Sequence, residues 1–127
     1  MKKLLQKNEG QTIVILLSYM VIAIIIITAS IALVINGSIG TDKIYQGANS
    51  LNIAESGAET AMIKLLRNPS YTGETLVIGN GQAVITVTGT NPKTILSEGT
   101  LNNFTRKIQV IVDTSNNTLT ATSWKEI

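Results

Sequence analysis

The sequence contains no cysteine and no histidine in its 127 residues. Their absence excludes disulfides, thiolate or imidazole ligands for zinc or haem, and any nucleophile–base pair that uses either residue. Aromatic residues are scarce, with one Phe, one Trp and three Tyr, and no basic stripe is interleaved with them. The pattern therefore gives no direct support for nucleic-acid binding. A folded domain in this chain must be held by packing and β-pairing.

Charged side chains are also absent over a long stretch, from Gly10 to Thr41. Within it, residues 13–35 are mainly Ile, Val, Leu and Ala, which is about the length that spans a bilayer as a helix. The net charge of +2 arises from the first nine residues, because the remainder holds seven basic and seven acidic side chains. A basic flank stays on the cytoplasmic side. The pattern predicts an anchor in the cytoplasmic membrane, crossing once with its N-terminus inside.

A discarded signal peptide is the alternative interpretation of the same segment. Such peptides have an apolar region of roughly 7–15 residues followed by a small-residue cleavage site. The run here is longer, although residues 27–32, "ITASIA", resemble a cleavage site. A permanent anchor is therefore the favoured interpretation and cleavage near Ala32 the minor one.

The segment from 36 to 68 has the spacing of an amphipathic helix that continues outside the membrane. Lys64 and Arg67 suit its last turn, and the helix is expected to end near Arg67 because Asn68 precedes a proline. Residues at spacings of four and three are Ile44, Ala48, Leu51, Glu55, Ala58, Met62 and Leu65, and all of them except Glu55 suit one buried stripe.

Glycines interrupt this helical pattern at two places. Asn36, Gly37 and Gly40 predict a hinge or a melted turn where the apolar run ends, because glycine weakens a helix by about 1 kcal/mol relative to alanine. Gly57 also needs a structural reason. Close approach of a strand to the helix is the favoured one, and helix–helix packing in an assembly is the alternative.

After Pro69 the apolar period changes from that of a helix to that of strands. Residues 75–89 form two strand-like runs around Gly79-Asn80-Gly81, which is typical of a hairpin. Residues 104–113 and 119–127 predict two further strands, although Arg106 falls on the apolar side of the first. Residues 94–100 are expected to form a short strand or an edge segment.

These elements predict an α+β fold, with a long N-terminal helix packed on a four- to five-stranded antiparallel meander sheet. The first half of the helix spans the membrane. The predicted segments are a basic leader at 1–10, a membrane helix at 11–35, its external continuation at 36–68 and a β-sheet head at 69–127.

Catalytic chemistry finds little support in the remaining residues. Glu55 and Glu59 lie four apart and can meet on one helix face, but neither belongs to a catalytic or metal-binding motif. The glycine-containing turns lack the Lys-Ser/Thr continuation of a phosphate-binding loop. We expect no enzymatic activity, no cofactor and no metal, and a membrane-tethered enzyme is the least favoured class.

Three short motifs, taken in order, resemble one known family. A basic leader ends in Gly10, directly before the uncharged run. "AESG" at 54–57 contributes Ala54, Glu55 and Gly57, "SEGT" at 97–100 contributes Ser97 and Gly99, and Arg106 and Val110 lie on the following strand. Together they resemble type IV pilin-like proteins, most closely the minor pilins of the PilX type.

The resemblance implies a processing step and an assembly. A prepilin peptidase would cut between Gly10 and Gln11, and the new N-terminus would be methylated. The subunit would wait in the inner membrane and then join an extracellular filament of other pilin subunits that serves in cell adhesion. The motif residues would act as determinants of the fold.

The sequence departs from the family pattern at two positions. Major pilins usually carry Phe and Glu at the first and fifth mature positions, where this chain has Gln11 and Ile15. That difference favours a minor or initiating subunit. A pseudopilin of a type II secretion or DNA-uptake machine and an uncut, non-assembling, membrane-anchored binding module are the alternatives.

Overall fold

A computed structural model describes the backbone from Lys2 to Ile127 and the side chains from Gly10 onward. The elements are one helix, α1, and five strands. A short 3-10 turn at Ser115–Asn117 lies in the loop before the last strand. The bounds of the helix and strands are α1 Lys2–Arg67, β1 Gly73–Ile78, β2 Gly81–Thr88, β3 Lys93–Leu101, β4 Phe104–Asp113 and β5 Thr120–Glu126. The chain has two compact units, one ending at Thr41 and the other comprising Asp42–Ile127.

The first unit is helical throughout its described residues, and every side chain from Gly10 to Thr41 is exposed. The predicted melted turn is wrong, because Asn36, Gly37 and Gly40 all lie within α1. The Thr41 hydroxyl donates a hydrogen bond to the Gly37 carbonyl at 3.0 Å, so this stretch keeps local helical contacts. The predicted leader at 1–10 lies largely outside the side chains that the structure describes.

In the second unit the helix ends where the sequence predicted. The Asn68 amide still donates to the Lys64 carbonyl at 2.7 Å, and Pro69 then stops the ladder because it has no amide hydrogen. Lys64 and Arg67 occupy the last turn, where the partial negative charge of the helix C-terminus favours cations.

The sheet is an antiparallel meander with the spatial order β1-β2-β3-β4-β5. The β1–β2 hairpin turns through Gly79 and Asn80, and Gly79 has φ 58°, which a type II′ turn demands of its first central residue. The prediction of a short strand or edge segment at 94–100 is wrong, because Lys93–Leu101 is a nine-residue strand at the centre of the sheet. It pairs with β2 on one side and β4 on the other.

The core lies between one face of the sheet and one stripe of the helix. The sheet contributes alternating residues, among them Ile85, Ile95, Ile108 and Val110, and the helix contributes mainly alanines and Leu65. The α+β fold with a long N-terminal helix on a five-stranded antiparallel sheet is therefore confirmed.

The predicted buried stripe of the helix is partly wrong. Ile44 and Ala48 are exposed, and Leu51 and Met62 are only half-buried. The buried helical positions are Gly47, Ser50, Ile53, Ala54, Gly57, Ala58, Ala61 and Leu65. The buried face is rotated because small residues, rather than large apolar ones, admit the sheet.

Candidate functional site: the apolar segment and the helix–sheet seam

Two parts of the helix carry the features that sequence analysis assigned to function. The first is the apolar segment, residues 13–35. The second is the helix–sheet seam, formed by Gly47, Ser50, Ala54, Gly57 and Ala58 of α1 against Ala83, Ser97 and Gly99 of β2 and β3. The two parts lie in different units of the chain.

The apolar segment is exposed on every side of the helix. Its large side chains are more than half exposed, as for Ile25 at 62% and Val34 at 71%. A window of this helix has a mean hydropathy of 2.8, which makes it long and apolar enough to cross a membrane. A helix that is hydrophobic all round requires lipid or other helices around it. The segment is therefore the part of the chain that is incompatible with free exposure to water.

Hydroxyl groups within the apolar segment bond to its own backbone. Ser18 donates to the Val14 carbonyl at 2.9 Å, and Thr28 and Ser30 donate to the Ile24 and Ile26 carbonyls at 2.8 Å. Such bonds lower the cost of placing a hydroxyl in hydrocarbon, where no water can bond to it.

The predicted processing residues lie just before this segment. Gly10 and Gln11 are both exposed, and a Cβ added at Gly10 would meet no atom within 4 Å. Gly10 is thus not required there by packing. Ile15, which stands where the family has Glu, is 53% exposed and offers no charge to a neighbouring chain.

The seam brings together residues of two of the sequence motifs, those at 54–57 and 97–100. A Cβ added at Gly57 would lie 2.3 Å from Ser97 Oγ and 2.8 Å from Ala83 Cβ. A Cβ at Gly99 would lie 2.2 Å from the Ser50 carbonyl oxygen and 2.4 Å from the Ala54 amide nitrogen. The expected close approach at Gly57 is confirmed, and Gly99 is the matching position on the strand. The helix and β3 approach so closely that neither glycine has room for a methyl group.

Two buried serines occupy the seam with different hydrogen bonding. Ser50 and Ser97 are both 0% exposed. Ser50 donates to the Gly47 carbonyl at 2.8 Å. Ser97 Oγ has no hydrogen-bond partner among the described residues, and it faces the bare Cα of Gly57. A weak Cα–H···O contact with Gly57 is the interaction that this geometry favours.

Arg106 lies on the helix-facing side of β4, as its place in the alternation predicted, but beyond the closely packed seam. Its guanidinium forms a 2.5 Å ion pair with Glu126 on β5, and its side chain is 48% exposed. A Cβ added at Gly47 would be 3.8 Å from its Nη2. The sequence inconsistency thus disappears, because the charge remains near solvent. Glu55 is half-buried and Glu59 exposed, and the described structure gives neither an ion-pair partner.

A polar cluster ties the helix end to the first strand. Glu74 accepts hydrogen bonds from Lys64 Nζ and from the Tyr71 hydroxyl, the latter at 2.9 Å. These two hydrogen bonds hold the pKa of Glu74 below its ordinary value, and the bond from Lys64 has the larger effect. Burial, together with the bond to Glu74, raises the pKa of Tyr71 to about 12. Sequence analysis missed this cluster because no local motif links the helix end to β1.

Comparison with known proteins adds no relative. No protein-family model matches the chain, and no curated protein or solved structure is significantly similar to it.

Proposed function

We propose that this chain is a non-enzymatic structural subunit, of a minor or initiating kind, in a type IV pilus-like filament. Before assembly it rests in the inner membrane through residues 13–35, with its N-terminus in the cytoplasm. Its partners are a prepilin peptidase and other pilin subunits, and its final location is the extracellular filament. Neither a cofactor nor a metal takes part.

The observation that carries this proposal is the apolar segment in a chain that also bears a separate compact unit. That segment is exposed around its whole circumference, so it requires cover at every stage. Lipid supplies that cover before assembly, and neighbouring helices supply it within a filament. The proposal accounts for both, whereas a secreted protein would lose the segment.

Further support comes from the resemblance and from the positions of its residues. Gly10 lies three residues before the apolar segment and is exposed, as a cut site requires. The motif residues Gly57, Ser97 and Gly99 meet in the seam and act in folding. Ile15 supplies no carboxylate to pair with a neighbour's new N-terminus, which favours a subunit present in few copies.

The test is the mass of the N-terminal peptide of the mature chain, measured separately in membranes and in sheared filaments. We expect a chain that begins at N-methylated Gln11 in both fractions. An unmethylated N-terminal Gln can cyclise with loss of ammonia, so mass distinguishes methylated, free and cyclised ends. A Gly10→Val variant should keep Met1 and remain in membranes. Gly40→Ala is the matched control, since its added methyl meets no atom within 4 Å.

Three other outcomes would overturn the proposal, and each would identify an alternative. An intact Met1 in the wild type, confined to membranes, indicates an uncut anchor that presents a binding module. A chain that begins near Leu33 and is recovered from the medium indicates a cleaved signal peptide. A methylated Gln11 in a short fibre on a secretion or uptake machine would assign the subunit to a pseudopilin.

A further inference from the structure

A groove in the second unit is lined by uncharged residues, and many of these carry carboxamides. Its volume is about 520 Å³, and its walls come from α1, the β1–β2 turn and the β3–β4 turn. Five side-chain amides line it, those of Gln46, Asn49, Asn52, Asn80 and Asn102. We call it the amide groove. Its volume falls within the range of small-ligand sites.

The position of one amide is fixed by another. Asn102 Nδ2 donates to Gln46 Oε1 at 3.3 Å, which links the β3–β4 turn to the helix. The bond leaves the Gln46 NH₂ group and the Asn102 carbonyl oxygen for other partners. Each further amide adds two donors and one acceptor. The groove therefore offers donors and acceptors in close alternation and no formal charge.

The rest of the groove is apolar. Ile53 is 7% exposed, and Ile78 and Leu101 are half-buried beside it. Tyr45 is 67% exposed and is also one of the lining residues. The groove thus combines an apolar surface, an exposed aromatic ring and an array of neutral hydrogen-bonding groups.

We propose that the amide groove binds a neutral saccharide. Each sugar hydroxyl both donates and accepts, as the carboxamides require, and the C–H faces of the ring suit the isoleucines and Tyr45. A charged ligand would be disfavoured, because no lining residue supplies a counter-charge. A peptide is also less suited, since a helix face and two turns offer no strand edge for backbone pairing. The groove lies wholly within residues 45–102, so the inference does not depend on filament assembly.

The test measures binding of maltotriose, cellotriose and N,N′-diacetylchitobiose to the full chain by titration calorimetry. The chain is held in lipid nanodiscs, because glycoside detergents would present competing sugars. We expect saturable binding of at least one of the three. Asn52→Asp, at an exposed position, and Tyr45→Ala should each weaken it about tenfold, as the loss of one or two good contacts predicts. The control is Asn103→Asp, which lies on the β3–β4 turn but outside the groove and should leave the affinity unchanged.

Three results would overturn the inference. One is an absence of binding for all three sugars. The second is an affinity that both groove variants leave intact while circular dichroism shows them folded. The third is tighter binding of an uncharged Ser-Gly-Ala peptide, lost in the same variants, which would assign the groove to peptide recognition.

Discussion

Two parts of the same helix make opposite use of the same backbone conformation. Residues 13–35 present large aliphatic side chains outward on every side and bury none. Residues 47–65 present Gly, Ser and Ala on one face and bury them against a sheet. Large side chains create a surface that lipid or other helices can cover. Small ones remove bulk where a specific partner approaches. Hydropathy alone identifies the first kind of surface and misses the second.

The largest expected effect comes from charging the apolar segment. Replacing both Ile25 and Ile26 with Asp should raise the apparent free energy of membrane insertion by about 6–8 kcal/mol, the sum of two substitutions at the centre of a span. The variant should leave the carbonate-resistant membrane fraction. The Leu double variant is the control and should remain there. Full membrane retention of the Asp variant would show that these residues do not lie in hydrocarbon.

The second-largest effect is expected from the addition of one methyl group in the seam. Gly99→Ala places Cβ 2.2 Å from the Ser50 carbonyl oxygen, where backbone must move. We expect a loss of about 3 kcal/mol in the free energy of unfolding, at the upper end for overpacking. Urea unfolding followed by the fluorescence of Trp124, the sole tryptophan, measures it. A loss below about 0.5 kcal/mol would mean that the helix and β3 are further apart.

Two helical glycines should respond to the same substitution with opposite signs. Gly57→Ala should cost about 1–2 kcal/mol, because its clashes outweigh the gain in helix propensity. Gly47→Ala should stabilise by up to about 1 kcal/mol, since the added methyl would be 3.8 Å from Arg106 Nη2, an ordinary van der Waals distance. The same unfolding assay compares them. Equal effects at both sites would remove the case for close packing at Gly57.

The two buried serines give a smaller, matched contrast. Ser97→Ala removes a buried hydroxyl without a described partner, so we expect stabilisation of about 1 kcal/mol. Ser50→Ala removes a hydrogen bond to the Gly47 carbonyl and should cost about 0.5 kcal/mol. If Ser97→Ala destabilised the chain instead, the hydroxyl would have an important partner that the described residues do not show.

The smallest effect is expected at the polar cluster of Lys64, Tyr71 and Glu74, which lies at the end of the helix. The folded-state pKa of Glu74 lies below its ordinary value of 4.5. Its stabilising contribution is therefore present above pH 4.5 and declines as the pH falls through the folded-state pKa. Glu74→Gln should flatten this acid limb, and Tyr71→Phe should reduce it in part. An acid limb identical in all three chains would contradict the assignment.

The same cluster determines an alkaline limb. The pKa of Tyr71 is raised to about 12 in the folded chain from an ordinary 10.0. Its contribution is complete below pH 10 and is lost as the pH rises through 12, because the unfolded chain ionises first. Tyr71→Phe should remove that loss in the same unfolding measurements.

The sequence predicted the elements better than the contacts between them. The end of the helix at Arg67 and the β1–β2 hairpin were predictable, since Pro69 and Gly79 act through local backbone geometry. The buried face was not, because Gly47 and Ser50 carry no hydrophobic signal and are buried by virtue of their small size. β3 was underestimated for the same reason: Ser97 and Gly99 suggest a turn until the helix across from them is known.

The candidate site also has a part that the sequence predicts and a part that depends on contacts between elements. The apolar segment was evident from composition, whereas the role of Arg106 depended on Glu126, twenty residues away along the chain. The cluster around Glu74 joins the end of the helix to the next element along the chain through side chains alone, and the amide groove joins elements distant in sequence. No local pattern of residues could have indicated them.

The strictly sequential order of the strands has a consequence for how the chain folds while it is being made. Each strand pairs only with the strands made just before and just after it. A chain that folds as it is synthesised can therefore add one hairpin at a time, without waiting for its C-terminus. Contacts between neighbouring strands form quickly, and few strand edges remain open for long. The meander thus limits the time in which an emerging head can pair wrongly with another chain.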